Sequence, residues 1–148
     1  IEYDQKRSFQ LRYNYKMSDL QAAMGIEQLK KLRSFVEKRR KIAQFYSAAL
    51  KGYPCQIPQD DKNRKHVYYR YCVKFDNPKK FQIFRRTLNK SGIEASAPVF
   101  QPLHRLYRQR RCFVSDKLMR TVLSIPIYPD FSHKEKGYVL QKLKKCVN

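Results

Sequence analysis

The first place where side chains could do chemistry is the run Leu11-Arg12-Tyr13-Asn14-Tyr15-Lys16-Met17-Ser18, an aromatic and amide cluster that ends where a helical pattern begins. A helix start presents unused backbone N–H donors and the positive end of the helix dipole. Asn14, Lys16 and the turn at Ser18 are therefore of the right types to hold an anion such as a phosphate. The plainer reading of the same residues is a capped turn with tyrosines packed over it, because a serine at a helix start satisfies those donors itself. Of the three histidines, His66 heads a strand-like pattern and His133 falls in the first turn of a helical one, both ordinary surface positions. His104 follows Pro102-Leu103 in a loop just after a strand end, where binding side chains are commonly carried; a simple loop hydrogen bond is the alternative. The chain shows no nucleophile beside a base, no phosphate-cradling glycine loop and no pair of clustered carboxylates, so taken alone it is a poor enzyme. Cys55, Cys72, Cys112 and Cys146 are scattered, without a CxxC pair or a histidine at metal-ligand spacing, and read as reduced thiols with no metal site.

The elements that must carry these residues are legible in the apolar spacing. Leu20, Ala23, Met24, Leu29, Leu32, Val36, Ile42, Ala43, Tyr46, Ala49 and Leu50 recur at helical spacing, which predicts two consecutive helices or one bent one over residues 18–50. Ser18 with Gln21 forms a capping box at its start, and Gly52 followed by Pro54 stops it. Gly25 lies inside the first stretch, where it costs up to about 1 kcal/mol relative to alanine, and so calls for a local packing reason or a close backbone approach. Residues 66–75 alternate Val67, Tyr69, Tyr71, Val73 and Phe75 against Tyr68, Arg70, Cys72 and Lys74, the pattern of a half-buried strand. Asn77 before Pro78 caps a helix carrying Phe81, Phe84 and Leu88, which Ser91-Gly92 ends. A second strand is expected over residues 93–100, interrupted by Pro98. A loop or irregular basic segment follows over residues 102–111, then a short helix capped by Ser115 and running through Leu123, and a brief extended piece over residues 125–128. Ser132 with Glu135 repeats the capping-box spacing and opens a last helix with Tyr138, Val139, Leu140, Leu143 and Val147. The order implies an α+β fold, a small sheet with helices packed on one face, preceded by a long N-terminal helical segment.

Composition sets the outer bounds. The 148 residues suit one domain, and 42% hydrophobic with 14% aromatic residues suffices for a core. Neither an apolar run long enough to span a membrane nor a charged-then-apolar leader opens the chain, which is expected to be cytoplasmic. A start at Ile1 within a polar run suits a piece of a longer polypeptide. With 33 Lys and Arg against 12 Asp and Glu the net charge is +21, with basic runs at residues 38–41, 108–111 and 142–145. Such a field attracts polyanions. Together with a helix, Gly25, helix pattern, it motivates a second reading as a basic nucleic-acid-binding module. The helical pattern running on from Ile26 to Leu32 without a turn of its own, and the lack of any homeodomain, zinc-finger or RNP signature, weigh against that reading. Solvated helix faces, or an acidic domain elsewhere, account for the charge equally well.

The run from Tyr13 through Asn14, Lys16, Ser18, Asp19, Leu20, Gln21 and Met24 to Gly25 closely resembles the segment linking large and small domains in the DegT/StrS family of sugar-nucleotide aminotransferases. The likeness continues in order through Arg39, Arg40 and Tyr46, the Tyr-rich strand, Gly92-Ile93-Glu94-Ala95, Pro102-Leu103-His104 and Leu123-Ser124-Ile125-Pro126-Ile127-Tyr128-Pro129. The resemblance implies a fold type I enzyme dependent on pyridoxal 5'-phosphate (PLP). Such an enzyme moves an amino group, often from glutamate, onto a nucleotide-linked keto-sugar, as in cell-surface polysaccharide or amino-sugar biosynthesis. It implies that residues 1–17 are an interdomain segment and residues 18–148 the C-terminal small domain. The large domain, with the cofactor-holding lysine, would lie upstream, so no catalytic residue is assigned here and this piece alone is expected to be inactive. Carried over by position, Asn14 would reach the PLP phosphate of the neighbouring subunit of a homodimer. Tyr13 and Lys16 would lie near that shared site, and His104 would face the sugar-nucleotide pocket. The family often has Arg at the Lys16 position. Between Gly92 and His104 this chain reads Glu94-Ala95-Ser96-Ala97-Pro98-Val99-Phe100, where many relatives carry a basic or His residue. The basic run at residues 108–111 is expected to compensate by facing nucleotide phosphates.

Overall fold

The structure, a computed structural model, describes residues 15–59, 61, 63–107 and 112–146. Helix α1 (Asp19–Ala49) opens on the capping box anticipated from its sequence. The Ser18 N–H donates to the Gln21 side-chain oxygen at 3.0 Å, and the Gln21 N–H donates to the Ser18 hydroxyl at 3.3 Å. The helix runs for 31 residues as one element. At Gly25 an added methyl would meet nothing within 4 Å, so among the described residues the glycine marks neither a turn nor a close approach. The helix-turn-helix pattern behind the nucleic-acid alternative therefore has no counterpart among the described residues.

The chain divides into two compact units, Ile1–Leu32 and Arg33–Asn148. In the first, the described part of α1 leaves Leu20, Met24, Ile26 and Leu29 exposed. In the second, α1 buries Ile42, Ala43 and Tyr46 and stops where Gly52 adopts a left-handed φ of 85°. Around these residues the core gathers Tyr71, Val73 and Phe75, then Phe81, Phe84 and Leu88, then Leu123 and Ile125, and finally Val139 and Leu143. Tyr46 joins several of these layers. Its ring centroid lies 5.2 Å from Tyr71 and 6.3 Å from Phe131, and its hydroxyl donates to the Pro126 carbonyl at 3.0 Å. Burial, reinforced by Tyr128, Tyr71 and Glu135 nearby, pushes its phenol far above the ordinary value.

Strands β1 (Tyr71–Lys74) and β2 (Val122–Ile125) pair antiparallel, with Tyr71 opposite Ile125 and Val73 opposite Leu123. Single residues extend this sheet on both sides. Gln56 exchanges two backbone bonds with Lys74, at 2.7 and 2.9 Å, and Ser96 does the same with Ser124, at 3.4 and 2.8 Å. Helix α2 (Pro78–Lys90) starts where the Asn77 side chain accepts from the Lys80 N–H at 3.0 Å, and Gly92 follows it at φ 72°. Helix α5 (His133–Lys144) starts on the complete Ser132–Glu135 box and meets α2, the Tyr138 hydroxyl donating to the Ser91 carbonyl at 3.0 Å. The molecule is α+β, and no described helix is long and apolar enough to cross a membrane.

Four expected elements change shape or position, each for a local reason. The strand expected over residues 66–75 survives only as β1. Val67 and Tyr69 are exposed, whereas Tyr68 is 5% exposed. Tyr68 sits at φ 48° with its N–H donating to His66 Nδ1 at 2.8 Å. That left-handed residue shifts the alternation by one position, so the aromatic set changes face between Tyr69 and Tyr71. The strand expected over residues 93–100 shrinks to the Ser96 bridge. The Asn89 side chain takes both main-chain groups of Ala95, donating to its carbonyl at 3.0 Å and accepting from its N–H at 2.9 Å, and Pro98 has no N–H to continue a ladder. The helix expected to be capped by Ser115 and to run through Leu123 is α4 (Phe113–Met119), with Cys112 rather than Ser115 as its cap residue. The chain leaves it at Arg120, and the Thr121 carbonyl accepts from the Phe75 N–H at 2.8 Å, feeding Leu123 into β2. The extended piece expected over residues 125–128 thus lies three residues earlier, because Pro126 cannot donate to the ladder.

Candidate functional site

Of the four residues singled out from the sequence, Tyr13 and Asn14 lie outside the described residues, as does the basic run at residues 108–111. Lys16 is exposed, two residues ahead of Ser18. The box at the start of α1 uses the Ser18 and Gln21 N–H groups within the chain, and Asp19 puts a carboxylate into the first turn. The cap reading of this turn is thus realised in the described residues, with Lys16 as a cation beside it.

His104 lies on α3 (Leu103–Leu106), a single turn that begins after Pro102 and closes with the Tyr107 N–H donating to the Leu103 carbonyl at 3.0 Å. Its side chain is 11% exposed, and Nε2 stands 3.4 Å from Oδ2 of Asp116 in the first turn of α4. The guanidinium of Arg105, the next residue, pairs with Oδ1 of the same carboxylate. Burial by itself would raise the Asp116 carboxyl. The Arg105 guanidinium, together with His104, outweighs it and holds the group below the usual carboxylate range. Asp116 was not anticipated. A usable signal was present, since it is the only carboxylate between Glu94 and Asp130, in a stretch rich in Arg and Lys.

A second feature of the same unit is a cavity of about 770 Å³, with Tyr69, Arg70, Tyr128, Lys134 and Tyr138 among its walls and Ile125 beneath them. His104 is not among its lining residues. One wall is stiffened by Glu135, whose carboxylate accepts from the Ser132 N–H at 2.8 Å and from the Tyr128 hydroxyl at 2.7 Å. Those bonds lower the Glu135 carboxyl to about 2 and raise the Tyr128 phenol to about 12. Among the described residues no cluster of three or more His, Cys, Asp or Glu could hold a metal ion.

An α+β layer that carries His104 on a short helix, beside the Asp116 carboxylate, can bind and orient a ligand. Comparison with known proteins defines the class. Residues 2–144 match the DegT/DnrJ/EryC1/StrS aminotransferase family, and the chain belongs to that family. It is 33% identical over 146 residues to a GDP-perosamine synthase of Vibrio cholerae, a match covering 92% of this chain and 39% of that protein. The fold is similar to that of the aminotransferase TlmJ of Streptoalloteichus hindustanus, with a TM-score of 0.80 at 22% identity over 88% of this chain and 36% of that one. It is also similar to NtdA of Bacillus subtilis, solved with bound cofactor PMP, with a TM-score of 0.75 at 25% identity over 98% of this chain and 36% of that one. The chain thus spans about two fifths of the length of the relatives it matches.

Proposed function

We propose that this chain is the C-terminal small domain of a PLP-dependent aminotransferase that transfers an amino group from an amino acid, glutamate by preference, to a nucleotide-linked keto-sugar. The observation that carries the reading is the family match over residues 2–144, which runs through the loop of His104 and the whole α+β layer. The similarity to a GDP-perosamine synthase supports a nucleotide-linked substrate, and the family supports PLP as the cofactor. In this reading residues 1–17 link the small domain, residues 18–148, to a large domain that holds the cofactor covalently through a lysine, and the isolated chain is inactive. The enzyme works in the cytoplasm as a homodimer with shared sites.

The residues present suit a contributory role toward the cofactor. An exposed Lys16 beside the capped start of α1 is chemically suited to a phosphate. The described residues supply neither a buried lysine nor a carboxylate facing one, as binding the rest of the cofactor would require. Bound PLP would provide the electron sink for amino transfer. The chain's own part is to bind and orient: Asn14 holds the phosphate of the neighbouring subunit's cofactor, Tyr13 and Lys16 border that site, and His104 contacts the sugar nucleotide. Because Nε2 of His104 is turned to Asp116, the ring meets a ligand through its other edge.

The test is transamination by the whole gene product carrying this chain, supplied with PLP, glutamate and GDP- or UDP-linked 4-keto-6-deoxyhexoses, with 2-oxoglutarate release as the readout. Activity is expected from the whole product and none from the 148 residues alone. If the whole product fails to bind PLP, the reading is wrong.

A further inference from the structure

His104 sits on a helix of four residues, α3, too short to fix a ring by itself. What holds it comes from elsewhere. Asp116, twelve positions on and in a different helix, brings its carboxylate to 3.4 Å from Nε2, while the His104 side chain is only 11% exposed. The second oxygen of the same carboxylate takes Arg105, so two successive residues of α3 are tied to one group on α4. Lys117 and Arg120, with Asp76 opposite, line a small cavity of about 350 Å³ that reaches Asp116, and Asp116 is the only carboxylate between Glu94 and Asp130.

A carboxylate facing one imidazole nitrogen selects the tautomer with the proton on that nitrogen and leaves the other as an acceptor. We propose that Asp116 is the positioning residue for His104: it keeps the ring proton of the neutral imidazole on Nε2 and makes Nδ1 the nitrogen offered to a ligand. The contact is long and lies outside hydrogen-bond geometry, and among the described residues Nε2 has no other hydrogen-bond partner. Such a pair tightens when a ligand engages the far side of the ring. That the ligand is a sugar nucleotide rests on the functional reading above; the tautomer does not.

The experiment is two-bond proton–nitrogen NMR of the 148-residue chain labelled with ¹⁵N-histidine, recorded without substrate at a pH where His104 is neutral. The wild-type chain is expected to show His104 with a protonated Nε2 and an unprotonated Nδ1. D116N is expected to move both nitrogen signals toward each other as the tautomers mix, and D116E to restore the separation. A wild-type ring with its proton on Nδ1, or D116N and wild-type spectra that coincide, overturns the proposal. If D116N does not fold, D116S is recorded in its place and read by the same comparison with the wild-type chain. Loss of transamination by the whole product would sink the functional reading while leaving this result in place, and a wrong tautomer would do the reverse.

Discussion

The Tyr128 hydroxyl donates to Glu135 Oε1 at 2.7 Å, while the other oxygen of that carboxylate accepts from the Ser132 N–H at 2.8 Å, so one side chain closes the start of α5 and fixes the wall of the large cavity. The folded Glu135 carboxyl lies at about 2, below its ordinary 4.5. A group depressed on folding contributes stability that is fully present above its unfolded value and is lost as the pH falls through the folded one. The difference in urea midpoint between the chain and E135Q is therefore expected to be constant above about pH 5 and to narrow between 4.5 and about 2. A gap that stays constant down to pH 2 would refute the assignment.

Tyr46 separates packing from hydrogen bonding. Y46F removes only the hydroxyl and leaves the Pro126 carbonyl without its donor, which is expected to cost about 1–2 kcal/mol. Y46A also removes a fully buried ring and is expected to cost about 3–5 kcal/mol. Denaturant titration of both variants measures the two contributions; equal losses would show that the hydrogen bond, not the ring, carries all of the effect.

Asn89 acts on Ala95 through two hydrogen bonds. N89A leaves the Ala95 N–H and carbonyl, in a residue 1% exposed, without partners, and is expected to destabilise by about 1–3 kcal/mol. The sharper readout is hydrogen exchange. The Ala95 amide should exchange much faster in N89A while the β1 amides keep their protection relative to global stability. Unchanged protection at Ala95 would rule out the clamp.

Tyr68 pairs a buried ring with a left-handed backbone. Y68A loses the ring and keeps the strain, whereas Y68G loses the same ring and removes the Cβ that makes this φ costly. Y68G is expected to be the more stable of the two by about 1 kcal/mol, the reverse of the order in an ordinary strand. Thermal unfolding of the pair checks it, and an alanine variant equal to or better than glycine would show that no strain is stored there.

Legibility followed the range of the interactions. Signals confined to a few neighbouring residues were read correctly: Ser18 with Gln21, Asn77 with Pro78, Gly92 and Ser132 with Glu135 all stand where their spacing put them. The errors arose where a partner distant in sequence, or one backbone angle, decided the outcome. Alternation across residues 66–75 could not reveal that Tyr68 turns left-handed, and nothing in residues 93–100 announces that the Asn89 side chain occupies the edge of Ala95. Lys16 and His104 stand out in the sequence by their setting, before a helix start and after a strand end. The carboxylate beside His104 lies on another helix, whose cap is Cys112, three residues before the Ser115 that the sequence suggests, and no local pattern links the two.

The chain has eleven tyrosines and no tryptophan, and Tyr46 makes tilted ring pairs with both Tyr71 and Phe131. Aromatic groups fixed in an asymmetric setting give near-ultraviolet circular dichroism that vanishes when tertiary packing loosens even while helices persist. The molecule therefore carries its own optical reporter, one that distinguishes a well-ordered interior from a merely collapsed one without any introduced label.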